Sequence, residues 1–196
     1  MGTGTFWRSG SWVRTIVFFL EEPSAKEMLK GVLPRILPPG ISCRFLVFQG
    51  KQDLEKNLVK RLRGWQTPNS AFVVMRDQDA GDCLEIKKNL VDLCRQTQKE
   101  RVLIRIACRE LESFYLGDLQ AVAIGLGLKG IAPQQNKSKF RAPDELGSPS
   151  EELVKLTKGI YQKMGGSRAI APHLDLDNNN SRSFKILLNG IRKLIE

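Results

Sequence analysis

A chain of 196 residues, 41% of them hydrophobic, can bury one full core, so one domain, or one domain with a small extension, is expected. No apolar run approaches a membrane span, which argues against a helical membrane protein, and the net charge of +10 favours a polyanionic partner, nucleic acid before an anionic membrane. The four cysteines (Cys43, Cys83, Cys94, Cys108) lack C-x-x-C spacing and the single histidine, His173, is far from them in sequence, which argues against structural zinc and Ser-His or Cys-His catalysis and for free thiols in a reducing cytoplasm.

Residues 1–13 are rich in Gly, Ser and Thr, have no period and lack the apolar stretch of a secretory signal; they are expected to be a disordered lead. Arg14 to Leu20 reads as the first strand, ending in Glu21-Glu22. Pro23 and Ser24 open a helix to about Leu33, with Ser24 and Glu27 at capping-box spacing. Cys43 to Phe48 is a second strand. Asp53 to Arg63 is a helix with Leu54, Leu58 and Leu62 inward, and Trp65 packs on the rim of the next loop. Ala71-Phe72-Val73-Val74-Met75-Arg76-Asp77-Gln78-Asp79 is a buried strand that stops at two carboxylates. A helix from Cys83 to about Thr97 follows, then a strand from Val102 to Ala107. Glu110 and Glu112 stand near the start of a helix to about Leu126. Residues 125–150 read as loop with a helical turn at Pro143-Asp144-Glu145-Leu146, and Ser150 caps a helix to Leu156 or beyond. Gly165-Gly166 breaks the chain, Ser167 to Arg182 is a polar loop, and Ser183 to Ile195 closes as a helix.

Repeated strand–helix alternation predicts an α/β fold, a mostly parallel sheet flanked by helices. The core is expected over 14–124, with a loop-rich, helical C-terminal part over 125–196 packed on it. Glu21, Asp77 and Glu110 then share the carboxyl edge of the sheet, where open α/β sheets bind ligands. Asp77 and Asp79, two apart, point the same way if the chain stays extended, and suit a hard divalent cation. Asp-Gln-Asp-Ala-Gly-Asp is also good turn chemistry. On a helix, only one of Glu110 and Glu112 reaches such a site. Asp175 and Asp177, beside His173, read either as an accessory acidic contact or as a segment leading into an N-cap at Asn180 or Ser181. Tyr115, on a helix, reads as packing in the core.

The stretches Phe18-Phe19-Leu20-Glu21-Glu22, Arg76-Asp77-Gln78-Asp79 and Cys108-Arg109-Glu110-Leu111-Glu112-Ser113-Phe114-Tyr115-Leu116-Gly117-Asp118 resemble the strand-end motifs of Toprim (topoisomerase–primase) domains. With the late Asn180-Ser181-Arg182-Ser183-Phe184, they resemble the bacterial domain-of-unknown-function family 4276, a Toprim-like group, over Arg14 to Leu194. The family often has Glu-Gly after its first strand; this chain has Glu21-Glu22-Pro23, and register favours Glu21 as the acid that faces the site.

The resemblance implies a Toprim-like (Rossmann-like) fold and phosphodiester chemistry dependent on Mg²⁺ or Mn²⁺. Nucleic acid is the implied substrate, and an ATPase the implied partner in bacterial antiphage defence. It casts Glu21, Asp77 and Asp79 as catalytic and metal-binding, and Glu110 or Glu112 as completing a second metal position. Lys26, Arg76 and Arg109 become phosphate contacts, and Glu22, His173, Asp175 and Asp177 accessory groups. The alternative is an adaptor or nucleic-acid-binding module of the same fold without catalysis.

Overall fold

The structure, a computed structural model, describes residues 12–196. The expected lead over 1–13 lies outside the described residues except for Trp12 and Val13, and Val13 is already in the core. Four strands, β1 (Thr15–Leu20), β2 (Ser42–Val47), β3 (Ser70–Asp77) and β4 (Val102–Ala107), form one all-parallel sheet in the order β2-β1-β3-β4. β1 and β3 are central, which is why their sequences are apolar on both faces rather than alternating.

Parity along the strands divides the core in two. Val17, Phe19, Phe72 and Val74 face α2 (Lys51–Arg63) and α3 (Cys83–Arg95), packing on Leu54, Leu58, Leu62 and Leu90. Ile16, Phe18, Leu20, Val73 and Met75 face the larger core, which α1 (Pro23–Val32) shares with the C-terminal helices. Those are α4 (Ser113–Leu116), α5 (Leu119–Leu126), α6 (Pro149–Leu156), α7 (Lys163–Ile170) and α8 (Arg182–Ile195). Tyr161, Ile170, Phe184 and Leu187 belong to the same apolar cluster as the central strands, so residues 125–196 supply much of one face of the sheet. No described helix is long and apolar enough to cross a membrane.

Several local expectations are corrected. Glu22, not Ser24, is the N-cap of α1, and Ser24 donates its hydroxyl back to the Glu22 carboxylate. The N-cap of α6 is Ser148 rather than Ser150. The helix expected from Glu110 to Leu126 splits at Gly117, with Asp118 capping α5 through the Ala121 amide. The split is held from the C-terminal motif: Asn179 Nδ2 donates to the Phe114 carbonyl and the Asn180 amide to that of Gly117, both at 2.9 Å. Gly165 and Gly166 lie inside α7 rather than breaking the chain, and residue 166 is held to glycine because a Cβ there would run into the Tyr161 ring. Ser181 caps α8 through the Phe184 amide. Gly31 brings α1 against residues 171–172; a Cβ there would sit 2.7 Å from Ala171 Cβ and 2.9 Å from backbone.

Candidate active site

The carboxyl ends of β1 and β3 are adjacent, since Leu20 registers with Met75. Strand parity decides where the next residues point. Asp77 follows Val73 and Met75 onto the face of the larger core and is only 8% exposed. Glu22 keeps an extended backbone (φ −141°, ψ 158°) and so follows Phe18 and Leu20 onto that same face. Glu112, in the turn before α4, comes to it from beyond β4 and is completely buried.

These acids are electrostatically coupled. Burial, then Glu22, Glu112 and Glu21, push the Asp77 carboxyl well above the usual carboxylate range; the Leu111 amide offsets part of this. Burial also raises Glu112, opposed first by Lys163 and then by Tyr161. The Tyr161 hydroxyl donates to Glu112 Oε1 at 2.9 Å, whereas Glu112 Oε2 is buried without a hydrogen-bond partner. Lys163, the first residue of α7, places its ammonium 3.2 Å from Glu22 Oε2. The result is an acidic cluster, buried at Asp77 and Glu112 and partly open at Glu22, with Lys163 at its rim.

On the other face of the sheet a second network forms. Arg76, of opposite parity to Asp77, is 6% exposed. Its guanidinium meets Glu55 at 2.6 Å, Asp79 at 3.7 Å and Glu21 at 3.8 Å, and donates to the Asp77 carbonyl. Lys51 pairs with Asp79 at 2.7 Å. Glu21 sits between the networks: Oε2 accepts the Asp77 amide at 3.0 Å, and burial, partly countered by that bond, raises its carboxyl.

The shared point expected for Asp77 and Asp79 is therefore corrected. The chain leaves the extended conformation at Asp79 (φ 55°), whose amide donates to the Arg109 carbonyl at 2.7 Å, so the two carboxylates diverge to opposite faces. Glu22 rather than Glu21 shares the face of Asp77. Glu112 joins the cluster while Glu110 turns away and accepts the Ser150 amide at the start of α6. Arg76, expected at a phosphate, is an internal ion-pair partner. Arg109, also at positive φ (60°), clasps the β3 loop through its backbone: its amide donates to Gln78 Oε1. Lys26 lies half-buried in the first turn of α1.

His173, Asp175 and Asp177 are not brought to this cluster. Arg35, just past the C-terminal end of α1, holds the Leu174 carbonyl at 2.7 Å, far along that helix from Glu22. Asp175 accepts the Asp177 and Asn178 amides, which pull its carboxyl below the usual range, and His173 ends a short 3-10 turn. Tyr115 is fully buried in the larger core. Sequence reasoning missed Tyr161, Lys163, Lys51 and Glu55. No spacing marks the first two, but counting parity past Leu20 singles out Glu22.

These features define an α/β protein with an open, all-parallel sheet and a buried acidic site at the strand ends. The family described as Domain of unknown function (DUF4276) matches residues 20–192, and the chain belongs to it. No curated protein and no solved structure matches the chain.

Proposed function

We propose that the chain is a Toprim-like protein that processes phosphodiesters with Mg²⁺ or Mn²⁺, acting on nucleic acid as the effector of an ATPase partner in bacterial antiphage defence. The observation that carries this function is the cluster of buried Asp77 and Glu112 with partly exposed Glu22. Coupled carboxylates held this close repel each other and invite a cation. An all-carboxylate donor set suits a hard divalent ion, and Glu112 Oε2 has no other partner. Among the described residues no three such side chains already stand close enough to hold a metal ion. Glu22, Asp77 and Glu112 would close on the ion by side-chain rotation, with Glu21 at its flank through the Asp77 amide.

When bound, the ion would activate the nucleophile and neutralise charge developing on phosphorus. Tyr161 orients Glu112 through its hydroxyl. Lys163, released from Glu22, is placed to pair with a phosphate oxygen. Arg76 holds Glu21 and Asp79 in place from behind. Lys26, Lys51 and Arg109, all partly exposed around these strand ends, add positive charge for the nucleic-acid backbone.

A second function has its own support. Lys163 already offsets part of the cluster's charge, and Lys51 with Arg76 offsets Asp79, as in an adaptor without catalysis. Divalent-metal titration followed by thermal shift, with plasmid, single-stranded DNA and tRNA cleavage in parallel, separates the two. Metal-dependent stabilisation and cleavage that are both lost in Asp77→Asn support the phosphodiester function. Wild-type protein indifferent to Mg²⁺ and Mn²⁺ leaves the adaptor.

A further inference from the structure

We propose that the open edge of β4 is a docking surface for another protein, which supplies an extended segment of alternating aliphatic and acidic residues as an added strand of the sheet. β4 is the last strand in the order β2-β1-β3-β4. The Phe72 amide donates to the Arg101 carbonyl and the Gln78 amide to that of Ala107, so the odd-numbered residues from 101 to 107 turn their backbone toward β3. The even-numbered Val102, Ile104 and Ile106 turn their amides and carbonyls to the open edge, where no strand meets them. Such a row invites strand addition.

The edge lies in a slot. A groove of about 500 Å³ follows it, with α3 on one wall and α8 on the other. Ile104 and Ile106 point to the α3 side, in the same core as Leu90. Arg105 points to the α8 side, where its Nε donates to the Ile186 carbonyl at 3.2 Å. The two walls differ in chemistry. Leu84, on α3, is 78% exposed in the same groove as the two isoleucines. Arg105 and Arg182 stand on the α8 side, and Lys87 adds a third cation from α3. No carboxylate among the described residues pairs with these three cations. The one acid lining the groove, Asp144, is engaged by the Ser181 hydroxyl and the Ser183 amide.

Side chains of an added strand alternate in step with those of β4. One set meets Leu84, Ile104 and Ile106 and is aliphatic; the other meets Arg105 and Arg182 and is acidic. Arg105 guards the edge of the free protein: its Nη1 donates to the Ile104 carbonyl at 2.8 Å, filling the acceptor that an incoming amide would use. An acidic residue opposite draws the guanidinium away and frees that carbonyl, which couples charge recognition to backbone pairing. A second copy is the poorer occupant, because its own β4 would set another Arg105 against this one. The opposite edge, β2, lacks this selectivity, since Lys30 is the one charged residue among those lining its groove.

Peptide capture at β4 needs neither metal nor catalysis, so its failure leaves the phosphodiester function untouched. The test titrates the metal-free full chain into a fluorescein-labelled peptide, Glu-Val-Glu-Ile-Glu-Val-Glu-Ile, and reads anisotropy, with amide exchange of Ile104 and Ile106 followed by NMR. Saturable binding should slow exchange at both amides. Leu84→Ser and Arg182→Glu, at exposed positions, should keep the wild-type melt and each weaken binding about tenfold. N-methylation of one alternate set of peptide amides should abolish binding, and of the other set preserve it. No saturable binding, equal binding of a peptide with Lys in place of Glu, or equal effects of the two N-methylated sets would overturn the proposal. So would single-stranded DNA binding lost in Arg182→Glu without peptide binding, which assigns the groove to nucleic acid, or self-association reversed by Leu84→Ser, which assigns it to a second copy.

Discussion

Tyr161→Phe isolates one interaction at the acidic cluster. The ring is 1% exposed and packs on Gly166, and phenylalanine keeps that packing; only the hydroxyl is lost. That hydroxyl is the donor to Glu112 Oε1, and Oε2 already has none, so the variant buries a carboxyl with both oxygens unpartnered. A hydrogen bond to a charged group contributes about 1.5–3 kcal/mol, and the expected loss is about 2 kcal/mol. For a chain of this size that is a fall in Tm of about 4–8 °C. Urea denaturation gives the free energy directly, and a double-mutant cycle with Glu112→Leu, which has no acceptor, assigns it to the pair. A loss below about 0.5 kcal/mol, or the same loss in the Glu112→Leu background, would refute the idea that Tyr161 holds Glu112. In the proposed enzyme, the same variant should weaken divalent-metal stabilisation, because Glu112 is no longer oriented.

The acid of the neighbouring strand behaves in the opposite sense. The folded-state pKa of Asp77 is raised, so its contribution to stability is present at low pH and lost as pH rises through that value. Asp77→Asn should therefore be more stable than wild type at neutral pH, with the advantage shrinking on acidification; thermal melts across pH that show a less stable variant at pH 7 refute this. Glu27 is lowered from 4.5 by Arg168 at 2.6 Å, so its contribution is present above 4.5 and lost as pH falls through the lower folded value. Glu27→Gln should lose about 1 kcal/mol at neutral pH, kept small by the exposure of Arg168, and nothing at acid pH, as read by urea denaturation at both. Gly31→Ala forces a methyl against Ala171 and backbone, and should lower stability by about 1–3 kcal/mol despite the better helix propensity of alanine; an unchanged Tm would show that α1 can move away.

The strands were legible because their apolar runs end at charged or turn-forming residues, and the strand–helix alternation led directly to the parallel sheet. Parity also carried information about the site. Counting on from Leu20 places Glu22 with Asp77, and counting back from Asp77 places Arg76 on the opposite face. The turn at Asp79 was the second of the two readings the sequence offered, since Asp tolerates positive φ. What sequence could not supply was the choice between them, because the partner of the Asp79 amide, the Arg109 carbonyl, lies 30 residues on. Gly165-Gly166 misled for a similar reason: glycine disfavours helix locally, but here it makes room for Tyr161. Tyr161 and Lys163 were invisible because their role depends on a residue 49 positions away in one case and 141 in the other.

Those separations also bear on how the protein is made. Synthesis delivers Glu22, Asp77 and Glu112 long before Tyr161 and Lys163, and closing contacts across such spans is slow relative to forming local helices and strands. A nascent chain holding only the four strands has its acids but neither the hydroxyl that orients Glu112 nor the lysine that neutralises Glu22. It also lacks Asn179 and Asn180, which fasten the turn at Gly117. Assembly of the acidic cluster thus waits until residues 161–180 have been made. The acidic cluster therefore stays incomplete until Tyr161 and Lys163 reach the residues that precede them by 49 and 141 positions.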